Sequence, residues 1–201
     1  MTPPPVIVDL RDVTFAHPGQ APLFDHWSTA IRAGVTLVQG DTGSGKSTLL
    51  RLLAGAEAIG GLITLAGIRL DADAAAYRRA VYFVDPNDAQ HEQSVAGDLV
   101  GAAARHLAEG FGLAPHLHKP MFMLSTGSRR KVWLAAAIAS ACPLTLLDEP
   151  TGGLDAPSRE YLAQALSALA GQRERAIVVA SSEGLGAVAL AGTIALPLQG
   201  A

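Results

Sequence analysis

From Gly40 to Ser47 the chain reads Gly-Asp-Thr-Gly-Ser-Gly-Lys-Ser. It enters this loop from a β-rich run, Val35-Thr36-Leu37-Val38, and leaves it into a helical pattern from Lys46 to Ala54. Strand, glycine-rich loop and helix in that order constrain the fold more than any other stretch. Glycines let successive backbone N–H groups turn inward about an anion, and the helix that follows offers its positive N-terminus. The pattern G-x-x-x-x-G-K-[ST] predicts a phosphate cradle built from Gly40, Asp41, Thr42, Gly43, Ser44 and Gly45. Lys46 would reach the β- and γ-phosphates, the Ser47 hydroxyl would ligate Mg²⁺, and Thr48 completes the run.

Around this loop the chain alternates strand and helix signals. Val6–Phe15 reads as a strand ended by the turn His17-Pro18-Gly19, and Leu62–Leu65 and Val81–Val84 are further strand candidates after a break at Gly60-Gly61. Val95 to about Gly110 turns helical, with Val95, Leu99, Ala102, Ala103 and His106 on one face. A second helix is expected over Ser128–Ala141, an apolar strand over Leu144–Leu147, a helix over Pro157–Ala170, a strand over Ala176–Ala180 and a last run over Thr193–Leu198. Apolar strands interleaved with helices imply an α/β fold whose parallel sheet is covered on both faces.

The strand Leu144–Leu147 runs into Asp148-Glu149-Pro150. Open α/β sheets bind ligands at the carboxyl ends of their strands, where these two carboxylates fall. With a phosphate loop upstream, Asp148 is placed to hold Mg²⁺ and Glu149 to orient or deprotonate a water attacking the γ-phosphate.

Composition narrows the partners. At 201 residues there is one sizeable core, so a single domain over 1–201 is expected. A formal net charge of −3 argues against nucleic-acid binding by phosphate neutralisation. The one cysteine, Cys142, cannot close an internal disulfide, which suits a reducing compartment. The longest apolar candidate, Trp133 to Leu147, is interrupted by Ser140, Pro143 and Thr145 and falls short of the roughly 18 apolar residues a membrane span needs. A membrane role would therefore run through a partner.

Leu124-Ser125-Thr126-Gly127-Ser128-Arg129-Arg130-Lys131-Val132, between the phosphate loop and the acidic strand, resembles the signature loop of ATP-binding cassette (ABC) ATPases. Gly153-Leu154-Asp155 resembles their D-loop, and Val13 to Gly19 their adenine-stacking stretch, with His17 at the stacking position and Phe15 turned to the core. The resemblance implies a P-loop NTPase core with an antiparallel β edge and a small helical subdomain over about 85–123. It also implies ATP and Mg²⁺ as cofactors and a homodimer or heterodimer with a second ABC ATPase. In that dimer Ser125 and Gly127 of one cassette cover the ATP of the other. A transmembrane transporter subunit would then hold the chain peripherally on the cytoplasmic face of a membrane.

Two departures bear on hydrolysis. Counting back from Ser94-Val95, the position of the family's metal-bridging glutamine falls on Asp85, and after Ala176–Ala180 the family's γ-phosphate histidine is replaced by serine, placed at Ser181. The expectation is a transport-coupled ATPase of low turnover. A nucleotide-binding regulatory subunit and a P-loop small-molecule kinase are the alternatives.

Overall fold

The computed structural model describes residues 2–84 and 91–198. Asp85, with its expected metal role, lies outside them. Five strands form the central sheet in the order β6 (Val81–Phe83), β7 (Leu144–Asp148), β8 (Ala176–Ser181), β3 (Gly34–Gln39), β9 (Leu190–Ala195), every pairing parallel. The antiparallel strands stand as a separate four-stranded sheet, β2 (Phe24–Arg32), β1 (Val6–Phe15), β4 (Gly60–Leu65) and β5 (Ile68–Arg69).

Helices cover both faces of the parallel sheet. On one side α1 (Lys46–Leu53) lies in a core that runs from Leu144, Leu146 and Val178 to Val8, Leu10 and Ile31 of the antiparallel sheet. Leu49, Leu50, Leu52 and Leu53 are all buried there, and the Tyr77 hydroxyl of α2 (Ala74–Arg79) donates to the Leu53 carbonyl. On the other side α3 (Ala96–Val100), α4 (Arg105–Gly110), α5 (Thr126–Ala139) and α6 (Ala156–Leu169) pack on Val35, Leu147, Ile177 and Val179. Capping sets where helices begin: Ser125 accepts from the Ser128 N–H at α5, and Asp155 from the Ser158 N–H at α6. Arg175 is buried and donates to the carbonyls of Ala137 and Ile138 at the end of α5 and to the Thr145 hydroxyl, meeting acceptors that a helix C-terminus leaves open.

Several expectations shift. The helix after the phosphate loop stops at Leu53, and Gly60-Gly61 open β4 rather than break the helix. The single helix expected from Val95 is split by Gly101, whose φ of 72° interrupts it. Its buried face is Ala96, Val100, Ala104, Leu107 and Ala108, one register away from the expected one. The last strand covers Leu190–Ala195 and so begins earlier than Thr193. Among the described residues no helix is long and apolar enough to cross a membrane.

Candidate nucleotide site

The parallel sheet brings the ends of β3, β7 and β8 together, and the chain segments that follow them converge on a cleft of about 470 Å³. Thr42, Gly43, Gly45, Lys46, Ser47 and Thr48 form one wall, His17 stands at one end, and Glu149 and Ser182 face the loop. Gly45 caps α1 with a φ of 99°, a left-handed conformation that glycine takes without a Cβ penalty and that turns the loop into the helix. Gly40 is needed for space, since a Cβ there would collide with the Leu196 carbonyl and the Ser44 side chain. Gly40, Asp41 and Ser44 thus shape the loop from behind; the Asp41 carbonyl accepts from the Ser44 N–H at 3.1 Å. Neither α1 nor α5 has an acid in its first turn, so the positive end of each dipole is uncompensated.

Lys46 is buried and crosses the cleft. Its ammonium donates to the carbonyls of Gly40 at 2.7 Å and Asp41 at 3.0 Å and lies 3.2 Å from Glu149 Oε1. That carboxylate is also held by the Ser182 N–H at 3.0 Å. The Glu149 amide donates to the Ala180 carbonyl, which ties the end of β7 to the end of β8. Glu149 takes a φ of 39°, an uncommon conformation for a side-chain-bearing residue. Asp148, beside it, has a buried Oδ1 without a hydrogen-bond partner.

Ser181 corrects the sequence expectation. It is buried, its hydroxyl accepts from the Glu183 N–H at 3.1 Å, and it does not line the cleft. Ser182, exposed and just past the strand, is the residue that faces Lys46 and Glu149. Every residue of β8 is buried, so no alternation in the sequence marks which side chain reaches the site.

His17 is exposed, with Nε2 3.4 Å from the Thr48 hydroxyl, and Phe15 meets it edge-on at 5.0 Å while packing on the core. Ser125 and Gly127 lie at the N-terminus of α5 and do not line the Lys46 cleft; Gly127 instead approaches the Gly153 carbonyl. Sequence reasoning passed over Arg130, whose guanidinium bonds the carbonyls of Glu149 and Gly152, and Lys131, whose ammonium is 2.7 Å from Asp155 Oδ2. The basic run after the signature-like loop was visible, but its targets were not.

Residues 25–152 match the family model described as ABC transporter. A cytochrome c biogenesis ATP-binding export protein of Rhizobium meliloti is 36 % identical over 92 % of this chain and 94 % of its own length. A protein of the same description from Rhodospirillum rubrum is 40 % identical over 62 % of this chain and 58 % of its own. An ATP-binding/permease protein of Mycobacterium tuberculosis is 32 % identical over 74 % of this chain, and the match spans only 19 % of that longer protein. Among solved structures, an ATP-binding subunit of an ABC transporter superposes with a TM-score of 0.76 at 20 % identity, covering 87 % of this chain and 79 % of that one. A bacterial Atm1-family ABC exporter with ATP bound superposes with a TM-score of 0.73 at 20 % identity, over 91 % of this chain and 35 % of that one. Family match, full-length relative and fold agree with the geometry of the glycine-rich loop: the chain belongs to the ABC transporter family, as one of its ATP-binding cassettes.

Proposed function

We propose that this cassette hydrolyses ATP slowly in the cleft between Lys46 and Glu149 and works as a homodimer, or as a heterodimer with a second ABC ATPase. It drives a separate transmembrane transporter subunit from the cytoplasmic face of a membrane. The observation that carries the hydrolytic reading is the placement of the Glu149 carboxylate, fixed by the Ser182 N–H and facing the phosphate-loop lysine. A carboxylate there can orient the attacking water and take its proton, while Lys46 and the N-terminus of α1 meet charge on the phosphates.

The donors present fit Mg²⁺. Ser47 offers an exposed hydroxyl at the cleft, and Asp148, which lines the pocket next to it, an orphaned oxygen; both are hard oxygen ligands. Among the described residues no three His, Cys, Asp or Glu side chains cluster, so such a cation would take its other ligands from phosphate and water, as Mg²⁺ does. Bound there, it would offset charge on the transferring phosphoryl group.

Support for a dimer comes from α5. Its N-terminus, with Ser125 and Gly127, stands outside its own chain's cleft and has no acid in its first turn, an arrangement suited to a second anion supplied by another cassette. The deciding experiment compares phosphate release by the wild type and Glu149→Gln, together with size-exclusion chromatography in MgATP. Glu149→Gln should lose turnover and accumulate a dimer. Wild-type phosphate release from Glu149→Gln would overturn the assignment.

A further inference from the structure

Resting on the hydrolytic reading above, we infer that Arg130 is a positioning residue for Glu149, acting through the backbone of the turn that carries it. Glu149 to Gly152 form a tight turn closed by the Gly152 N–H donating to the Glu149 carbonyl at 3.1 Å. The Arg130 guanidinium enters this turn from the second turn of α5. A single nitrogen, Nη1, donates to the Glu149 carbonyl at 2.9 Å and to the Gly152 carbonyl at 2.6 Å. Gly152 makes room for it: a Cβ there would lie 2.5 Å from Arg130 Nη1. One residue on, Lys131 grips Asp155, the cap of α6, so the far end of the same loop is held from the same helix.

Glu149 is where such a grip matters. Its φ of 39° is unfavourable for a residue with a Cβ and persists only when neighbours hold it. Rotation of the 149–150 peptide toward an ordinary conformation would swing the side chain away from Ser182 and Lys46. The guanidinium opposes this rotation by fixing the carbonyl in place with a charge-assisted bond. Because Arg130 follows the signature-like loop on one rigid helix, a shift of the Ser125 end is transmitted to the Glu149 carboxylate through a single side chain.

The test uses the full chain with two variants that break the grip differently. Arg130→Ala removes the guanidinium. Gly152→Ala keeps it but occupies its place, and Gly152 is not in the left-handed region, so alanine suits its backbone. Each should lower kcat by roughly ten- to a hundredfold, the range expected for a misplaced catalytic group, with KM for MgATP no higher than in wild type, since a displaced Glu149 competes less for Lys46. The double variant should be no slower than Arg130→Ala alone, since both act on one contact. Arg130→Lys, with its donors on a single nitrogen at the end of a flexible stem, should fall between wild type and Arg130→Ala. In nucleotide-free protein, the Ser182 amide proton, which donates to Glu149 Oε1, should shift in Arg130→Ala and Gly152→Ala as it does in Glu149→Ala. Additive kcat losses, or a Ser182 amide that moves only in Glu149→Ala, would overturn the proposal. If the wild type binds ATP without turnover, the hydrolytic reading fails while the Ser182 amide still decides the role of Arg130.

Discussion

Lys46 Nζ lies 3.2 Å from Glu149 Oε1, so the cation of the glycine-rich loop and the carboxylate at the end of β7 are salt-bridged across the cleft. A triphosphate that reaches for Lys46 competes with Glu149 for the same ammonium. Glu149→Gln should therefore bind MgATP more tightly as well as turn over more slowly. The gain is modest, about three- to tenfold, because the carboxylate is 40 % exposed and partly screened. Titration calorimetry with both proteins measures it, and a weaker affinity in the variant would contradict this competition.

Removing the ammonium has the opposite effect on binding. Lys46→Ala leaves the phosphates facing neutral backbone donors alone. Wild-type protein at one hundred times its Kd gains about 2.7 kcal/mol from ligand, visible as a rise in Tm. That rise should vanish in Lys46→Ala, while its circular dichroism retains the mixed α/β signature.

The exchange of roles between the two serines separates them experimentally. Ser182→His places an imidazole at the cleft, where one added donor to developing charge is expected to raise turnover by about tenfold or more. Ser181→His must fit a ring where the side chain is 1 % exposed, and overpacking there should cost about 1–3 kcal/mol. Phosphate release and urea denaturation on the two variants give the answer. Faster turnover in Ser181→His than in Ser182→His would reverse the assignment.

Arg175 offers a stability test away from the nucleotide. Its burial pulls the guanidinium pKa below the usual arginine range, and among the described residues no carboxylate is a hydrogen-bond partner. Arg175→Leu takes a donor from three acceptors, of which the Ala137 carbonyl keeps the Ser140 N–H while the Ile138 carbonyl and the Thr145 hydroxyl lose the guanidinium, and should cost roughly 2–4 kcal/mol. Chemical denaturation reads this loss, with ATP affinity at folding temperature unchanged.

The Lys131–Asp155 contact sets a pH dependence. The Lys131 ammonium, then the Ser158 hydroxyl and amide, hold the Asp155 carboxyl well below the usual carboxylate range. A depressed folded-state pKa stabilises above the unfolded value near 3.8, and that contribution is lost as pH falls through the folded value. Tm should thus fall less steeply below about pH 4 in Asp155→Asn, which keeps a capping side chain, than in wild type. Parallel melting curves across that range decide it.

What could be read from the sequence follows the physics of each element. The β3–loop–α1 unit was legible because glycines, lysine and an apolar strand each have one local meaning there, and Lys46, Ser47 and Glu149 line one cleft. β2 was not legible: only Phe24 and Ile31 of its nine residues are buried, and His26, at a φ of 48°, breaks the alternation that marks a strand. Its place comes from pairing with β1, which no local pattern announces. α2 is six residues long with one buried side chain, too little for a helical period to show. The Ser181 and Ser182 reversal has the same root, because a strand buried on both faces carries no parity.

The burial of α1 between the two sheets decides what can move. Leu49, Leu50, Leu52 and Leu53 tie the helix at once to β7 and β8 and to the sheet of β1, β2 and β4. A helix wedged in this way cannot tilt to follow a departing phosphate without prising open the core that holds it. The loop it carries is an anvil, against which the nucleotide is pressed by whatever closes over it. Closure and release then become displacements of one solid block, with Lys46, the antiparallel sheet and the ends of β7 and β8 travelling together.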